Sequence, residues 1–238
     1  MQQFLLFLFF AWIPFASIAQ TPVQKDSTRL NTPTKTIVLG PFMDLKVYSG
    51  MQIKAIQADE NKIVIHGDHA EDVVATLKNN TLKLRYKLKD IFTSKYSYIE
   101  LFYKDPMDRI GLHQGSQLDF KGPLKQTSIQ FEVQEGSKLN VEFFGKRITS
   151  KIATGGQMNI YGECSYHNLK VTGGGYCEAE TLQTEQTDVH VTAGGVAYVN
   201  ATDLLNANVT VGGTIRVHGK PKKLITEKRI GGQIIEMQ

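Results

Sequence analysis

The closest thing in the chain to a reactive pair is Glu178 and Glu180, separated by one alanine in "YCEAE". Alternate residues of one strand share a face at about 6.6 Å, a spacing loosely compatible with the two carboxylates of a polysaccharide hydrolase or lyase. Alternating glutamates are also ordinary strand surface, and they are the only acids that the pattern offers for such a role. "HGDH", His66 to His69, would bring two imidazoles and Asp68 around one turn. A metal centre needs more ligands than a turn supplies, and none stands near, so the four residues read as a turn between strands. Glycine clusters such as Gly155-Gly156 and Gly173-Gly174-Gly175 invite comparison with a phosphate cradle. That device places its glycines immediately before a helix N-terminus, whereas strand-like alternation follows each cluster here. Calcium-binding β-rolls need an aspartate just after the first glycines. Gln157, Met158 and Asn159 stand there instead. No cofactor and no metal is therefore expected.

These glycines belong to a repeat. Taking Gly155 as reference, the same position recurs at Gly115, Gly136, Gly174, Gly194 and Gly212, with spacings of 21, 19, 19, 20 and 18 residues. Three residues before it stand Leu112, Val133, Ile152, Val171, Val191 and Val209. Three after stand Leu118, Leu139, Met158, Cys177, Ala197 and Ile215, and five after stand Phe120, Val141, Ile160, Ala179, Val199 and Val217. Every one is apolar in a chain that is 41% hydrophobic. Alternation of period two on both sides of the glycine marks strands with one buried face. A unit of about twenty residues cannot cover its own apolar face, but copies stacked at the inter-strand distance of about 4.8 Å cover one another. The expected fold is all-β: a right-handed parallel β-helix of about seven coils, with each glycine at a stacked corner where φ is positive or the backbone packs too close for a Cβ.

Upstream, "LKVYSGMQIKA" puts Leu45, Val47, Gly50, Ile53 and Ala55 on the same pattern. Residues 41–105 otherwise read as an irregular β section, with Asn79-Asn80 as a hairpin turn, feeding regular coils over 106–238. "HAEDVVATLKN" is the one stretch with some helical period. Residues 20–36 are polar, hold two prolines, and are expected to be a flexible leader. Residues 1–19 carry no charged side chain, an apolar stretch from Phe4 to Ile13 and a closing Ser17-Ile18-Ala19. That is the pattern of a secretory signal cleaved before Gln20, leaving one β-helical domain over 37–238 with no membrane span. The chain's 27 basic and 23 acidic residues are dispersed, so the concentrated basic stripe of a nucleic-acid binder is missing. The short run Lys220-Pro221-Lys222-Lys223 reads as a guard on the open end of the helix. Cys164 and Cys177 fall at different points around the cross-section, too far apart for a disulfide, and are expected to be free.

The opening "GPFMDLKVYSGMQIKAIQ", the Gly67-Asp68 turn, the "TLKLRY" strand and the entry to the coils at Pro106, Ile110, Gly115 and Ser116 make the chain resemble the head GIN domain family of auto-transporter adhesins, over roughly residues 37–220. The resemblance implies an exported β-helical protein with adhesion or surface interaction as its role, and it brings no catalytic residues. The expected function is a rigid, non-enzymatic interaction surface, periplasmic, on the outer surface or secreted, for a glycan or an envelope protein. The alternatives are a carbohydrate-active enzyme built on Glu178 and Glu180, or a purely structural envelope module. The contact patch expected from the outward columns is Asn159, Tyr161, Glu178, Glu180, Tyr198 and Asn200, where rings and amides supply area without reactive geometry.

Overall fold

The computed structural model describes residues 33–67, 69–87 and 97–237. The signal reading, most of the leader and Asp68 of the "HGDH" turn lie outside the described residues. The chain forms a parallel β-solenoid of about seven turns with an irregular sheet at its N-terminal end.

The regular part runs through β8 (Arg109–Leu112), β9 (Gln117–Lys121), β10 (Leu124–Lys125), β11 (Ser128–Val133), β12 (Lys138–Ile152), β13 (Gln157–Val171), β14 (Tyr176–Glu178), β15 (Leu182–Val191), β16 (Val196–Asn200), β17 (Leu204–Val211), β18 (Thr214–His218), β19 (Lys223–Ile230) and β20 (Gln233–Glu236). Each turn has a leading face that ends at a glycine corner and a trailing face that begins after it. Both β12 and β13 are long enough to form the trailing face of one turn and the leading face of the next. Pairing between turns is parallel throughout. On the trailing face Leu118, Leu139, Met158, Cys177, Ala197 and Ile215 are consecutive partners in one file, and all six are buried. On the leading face Leu112, Val133, Ile152, Val171, Val191 and Val209 form a second file, with every member fully buried. A buried aliphatic side chain of this size contributes about 1.5–3 kcal/mol, so these files hold the turns together.

The corners explain the glycine pairs. Thr154 and Gly155 both take positive φ, 49° and 71°, and the Gly156 N–H donates to Ala153 O at 2.9 Å, the signature of a type I′ turn. The same closure recurs at residues 113–116, 134–137, 172–175 and 192–195. The two glycines do different work. A Cβ on Gly155 would meet nothing within 4 Å, so its φ alone selects glycine; a Cβ on Gly156 would lie 2.2 Å from Val133 O.

Three features distinguish the N-terminal section from the regular turns. First, β2 (Asp44–Val47) and β3 (Gln52–Gln57) form a regular turn, but it is covered on both sides. On one side β2 pairs with β8 and β3 with β9; on the other lie β6 (Thr81–Tyr86) and β7 (Tyr98–Tyr103), also parallel. Ile99 and Ile53 thus extend the trailing file above Leu118. Second, the stretch with helical period is a single 3-10 turn, Ala70–Asp72, followed by β5 (Val73–Lys78). Val73, Val74 and Thr76 are β-branched and favour extended backbone. Asn79 and Asn80, both with positive φ, turn β5 into an antiparallel hairpin with β6. Third, β1 (Pro33–Val38) begins inside the stretch expected to be leader and pairs antiparallel with β4 (Lys62–His66). At the other end, β19 and β20 are largely exposed. Among the described residues no helix is long and apolar enough to cross a membrane.

Candidate functional site

Two groups of reactive side chains are removed from consideration by their surroundings. Ser150 Oγ lies 3.0 Å from His167 Nε2, but each residue is only 1% exposed, so no substrate reaches them. They are rungs of the interior: His167 pairs with Ile148 and Thr187, and Ser150 with Leu169. Thr187 Oγ1 meets Thr184 Oγ1 at 2.7 Å, and Thr184 Oγ1 donates to Asn200 O at 2.6 Å. This hydrogen-bonded interior satisfies buried hydroxyls that would otherwise be costly. Cys164 and Cys177 are free and buried; burial pushes the Cys164 thiol up to about 12 and the Cys177 thiol up as well, which makes both inert. In the "HGDH" segment His66 Nε2 is 3.1 Å from Glu100 Oε2 and His69 Nδ1 is 3.2 Å from Asp72 Oδ2. The two imidazoles have separate carboxylate partners. Among the described residues no three metal-ligating side chains gather.

The buried imidazole has a measurable consequence. Complete burial lowers the His167 pKa from 6.5 to about 4, because the charged form is desolvated. Between those values the unfolded chain takes up a proton that the folded chain refuses. The stability that His167 contributes is fully present above pH 6.5 and is lost as the pH falls toward 4, about 3 kcal/mol in all. Urea melts between pH 7 and 4 are expected to show this slope, and His167→Leu is expected to flatten it even though the substitution lowers stability at pH 7.

The exposed trailing face is where chemistry can meet a ligand. Its central outward file is Asp119, Asn140, Asn159, Glu178, Tyr198 and Arg216, one side chain about every 4.8 Å along the axis. Beside it, just after the corners, runs Gln117, Lys138, Gln157 and Tyr176. These two files wall a shallow groove of about 200 Å³ bordered by Asp119, Lys138, Asn140, Gln157, Asn159, Tyr176 and Glu178. Its polar groups are held in place: Gln117 Nε2 donates to Asp119 Oδ2 at 3.0 Å, and Asn159 Nδ2 to Asn140 Oδ1 at 3.1 Å. Below the groove the rings of Tyr176 and Tyr198 lie 5.7 Å apart and those of Tyr198 and His218 6.0 Å apart. The Arg216 guanidinium covers Tyr198 at 5.0 Å and donates to its hydroxyl. Burial, then the nearby Glu178 charge and Tyr198, push the Tyr176 hydroxyl up to about 12, so it stays a neutral donor at any physiological pH.

The expected patch is thus divided. Asn159 and Glu178 line the groove, and Tyr198 is the next rung. Tyr161 is exposed but lies two residues beyond Asn159, outside the groove lining. Glu178 and Glu180 do not share a strand: β14 ends at Glu178, and Glu180 sits in the following turn. Glu180 Oε2 lies 3.4 Å from His218 Nε2, an ion-pair distance without hydrogen-bond alignment. Asn200 spends its amide on Glu180 O at 2.9 Å. The file of Gln117, Lys138, Gln157 and Tyr176 was absent from the expected patch. Its signal was present, since these residues stand two positions after each reference glycine.

Several solved structures share this architecture. A "putative adhesin" from Bacteroides fragilis superposes with a TM-score of 0.79 at 18% identity, covering 85% of this chain and 95% of the other. A "putative adhesin" from Parabacteroides merdae gives 0.66 at 17% identity, covering 86% and 95%. A "putative lipid binding protein" from Parabacteroides distasonis gives 0.61 at 17% identity, covering 86% and 96%. At these identities the likeness establishes the fold. No curated protein sequence matches the chain. The sequence model described as "Putative auto-transporter adhesin, head GIN domain" matches residues 41–221, most of the chain, and the protein belongs to that family.

Proposed function

We propose that this chain is an exported, non-enzymatic module that presents a rigid adhesion surface, with the trailing-face groove and the Tyr176–Tyr198–His218 rings below it as the contact site for a glycan. The observation that carries the reading is the unbroken outward file from Asp119 to Arg216. Asn159 is bonded to Asn140 across turns, Gln117 holds Asp119, and Arg216 holds Tyr198, so these side chains lose little freedom on binding. Planar amides and carboxylates match pairs of sugar hydroxyls, and the half-buried tyrosine rings offer apolar area to a pyranose face. The apolar segment of the first nineteen residues and the family's auto-transporter adhesin description support export and adhesion.

The test is a glycan array probed with the full chain, alongside Tyr198→Ala and an assay for polysaccharide cleavage. Saturable binding that falls at least tenfold in Tyr198→Ala, with no turnover, is the expected result. Cleavage that disappears in Glu178→Gln would establish the enzymatic alternative. Absence of both signals would leave the chain a structural envelope module.

A further inference from the structure

A second exposed cleft lies on the leading face, on the other side of the corners from the groove. It holds about 360 Å³ and is lined by Asp108, Arg109, Ser128, Gln130, Arg147 and Thr149, with Ile129 at its floor. The register explains the grouping. Gln130 is the direct partner of Arg109 above and of Thr149 below, and Ser128 is the direct partner of Arg147. The two arginines are therefore two turns apart along the axis and two residues apart along the strands. That places their Cα atoms about 12 Å from each other, one at each end of the cleft, with Arg109 leaning toward Asp44 on the turn above and Arg147 toward Tyr166 on the turn below.

The two guanidiniums are poorly neutralised. Arg147 lies over the Tyr166 ring at 4.6 Å, and among the described residues no carboxylate pairs with it. Arg109 reaches Asp44 only at 3.9 Å, with its side chain 55% exposed. By contrast the neighbouring Lys151 is engaged by Glu132 at 3.0 Å, and the Tyr166 hydroxyl donates to Asp188. Stacking on Tyr166 restrains the Arg147 fork while leaving its N–H donors free. A guanidinium at each end of the cleft offers a site for an oxyanion, which it binds through paired N–H bonds.

The remaining lining narrows the class of ligand. Asp108 would repel a bare dianion, and Ser128, Thr149 and Gln130 supply more neutral hydrogen-bonding groups than one oxyanion needs. An acidic oligosaccharide satisfies both facts: carboxylates or sulfates on separate rings reach Arg109 and Arg147, and the hydroxyls between them donate to Asp108 and exchange hydrogen bonds with the Ser, Thr and Gln side chains. We propose that the Arg109–Arg147 cleft is a second binding site, which takes an acidic glycan with a carboxylate or sulfate group at each end of the cleft. It is independent of the trailing-face groove.

Calorimetric titration of the full chain tests this with four probes: a galacturonate hexasaccharide, a heparin hexasaccharide, neutral maltohexaose and sodium sulfate. At least one acidic hexasaccharide is expected to bind, with affinity that falls as salt is raised. Arg109→Gln and Arg147→Gln are each expected to weaken it at least tenfold, and the double variant to abolish it. All three variants should melt as the parent does, because both side chains are exposed. Tyr198→Ala should leave this binding unchanged, which separates it from the groove. The assignment is overturned if neither acidic probe binds, if the double variant binds undiminished, or if maltohexaose or sulfate alone binds as tightly. It is equally overturned if phosphatidylglycerol vesicles are bound through these arginines while both acidic hexasaccharides are not.

Discussion

Ile160→Asp is expected to abolish the cooperative unfolding transition at room temperature or to lower stability by roughly 4 kcal/mol or more, the range for a charge buried without a partner. Ile160 is fully buried and sits directly below Val141 in the interior of the solenoid. Its direct partner Val141 is apolar and buried, so the carboxylate must either stay charged in an apolar stack or take up a proton and remain unsatisfied. Ile160→Val removes one methylene and is expected to cost about 1 kcal/mol. Urea melts of the two variants beside the parent chain measure the difference. An Ile160→Asp variant that melts like the parent would show that the inner files do not hold the turns together.

The second large effect separates the two members of a glycine pair. Gly156→Ala is expected to cost roughly 3 kcal/mol, because its Cβ would stand 2.2 Å from Val133 O and only a shift of the stacked backbone relieves the overlap. Gly155→Ala is expected to cost about 1–2 kcal/mol, the strain of an L side chain held in the left-handed region, since its Cβ meets nothing within 4 Å. Gly155→Asn should cost less than Gly155→Ala, because asparagine tolerates that region. Gly156→Asn should be at least as damaging as Gly156→Ala. Thermal melts of these four variants give the ranking, and equal costs at both positions would contradict the division of labour between them.

The inward files were legible in the sequence for a physical reason. Burial constrains each inner position to apolar side chains, and a stack of parallel turns repeats that constraint at fixed distance from each corner, so alignment on the glycines exposes the core directly. The outward files carry no such constraint. Gln117, Lys138, Gln157 and Tyr176 have in common only that they face water beside a corner, and nothing in their types marks them as one wall of a groove. Ser150 and His167 stayed hidden for the opposite reason: polar types in inner files break the pattern that identifies a core, and their pairing depends on two adjacent turns meeting in register. The placement of β2 and β3 between β6 and β7 on one side and β8 and β9 on the other depends on contacts distant in sequence. The sequence between β6 and β7 also lacks the glycine that the other corners carry. The five residues from Val73 to Leu77 fit either period, and the hairpin with β6 decided between them.

That buried turn also fixes the order in which the molecule can be assembled. Residues 44–57 find neither of their neighbours close by in the chain; one side closes only when the chain as far as Tyr103 is free to fold and the other only when it is free as far as Lys121. The first half of the polypeptide must therefore condense as one cooperative nucleus of slow, long-range contacts. Every later layer joins a finished edge one at a time, as in a one-dimensional lattice. Shortening from the C-terminal side should leave stubs that still fold, whereas deleting the segment up to Gln57 removes the seed on which all growth depends.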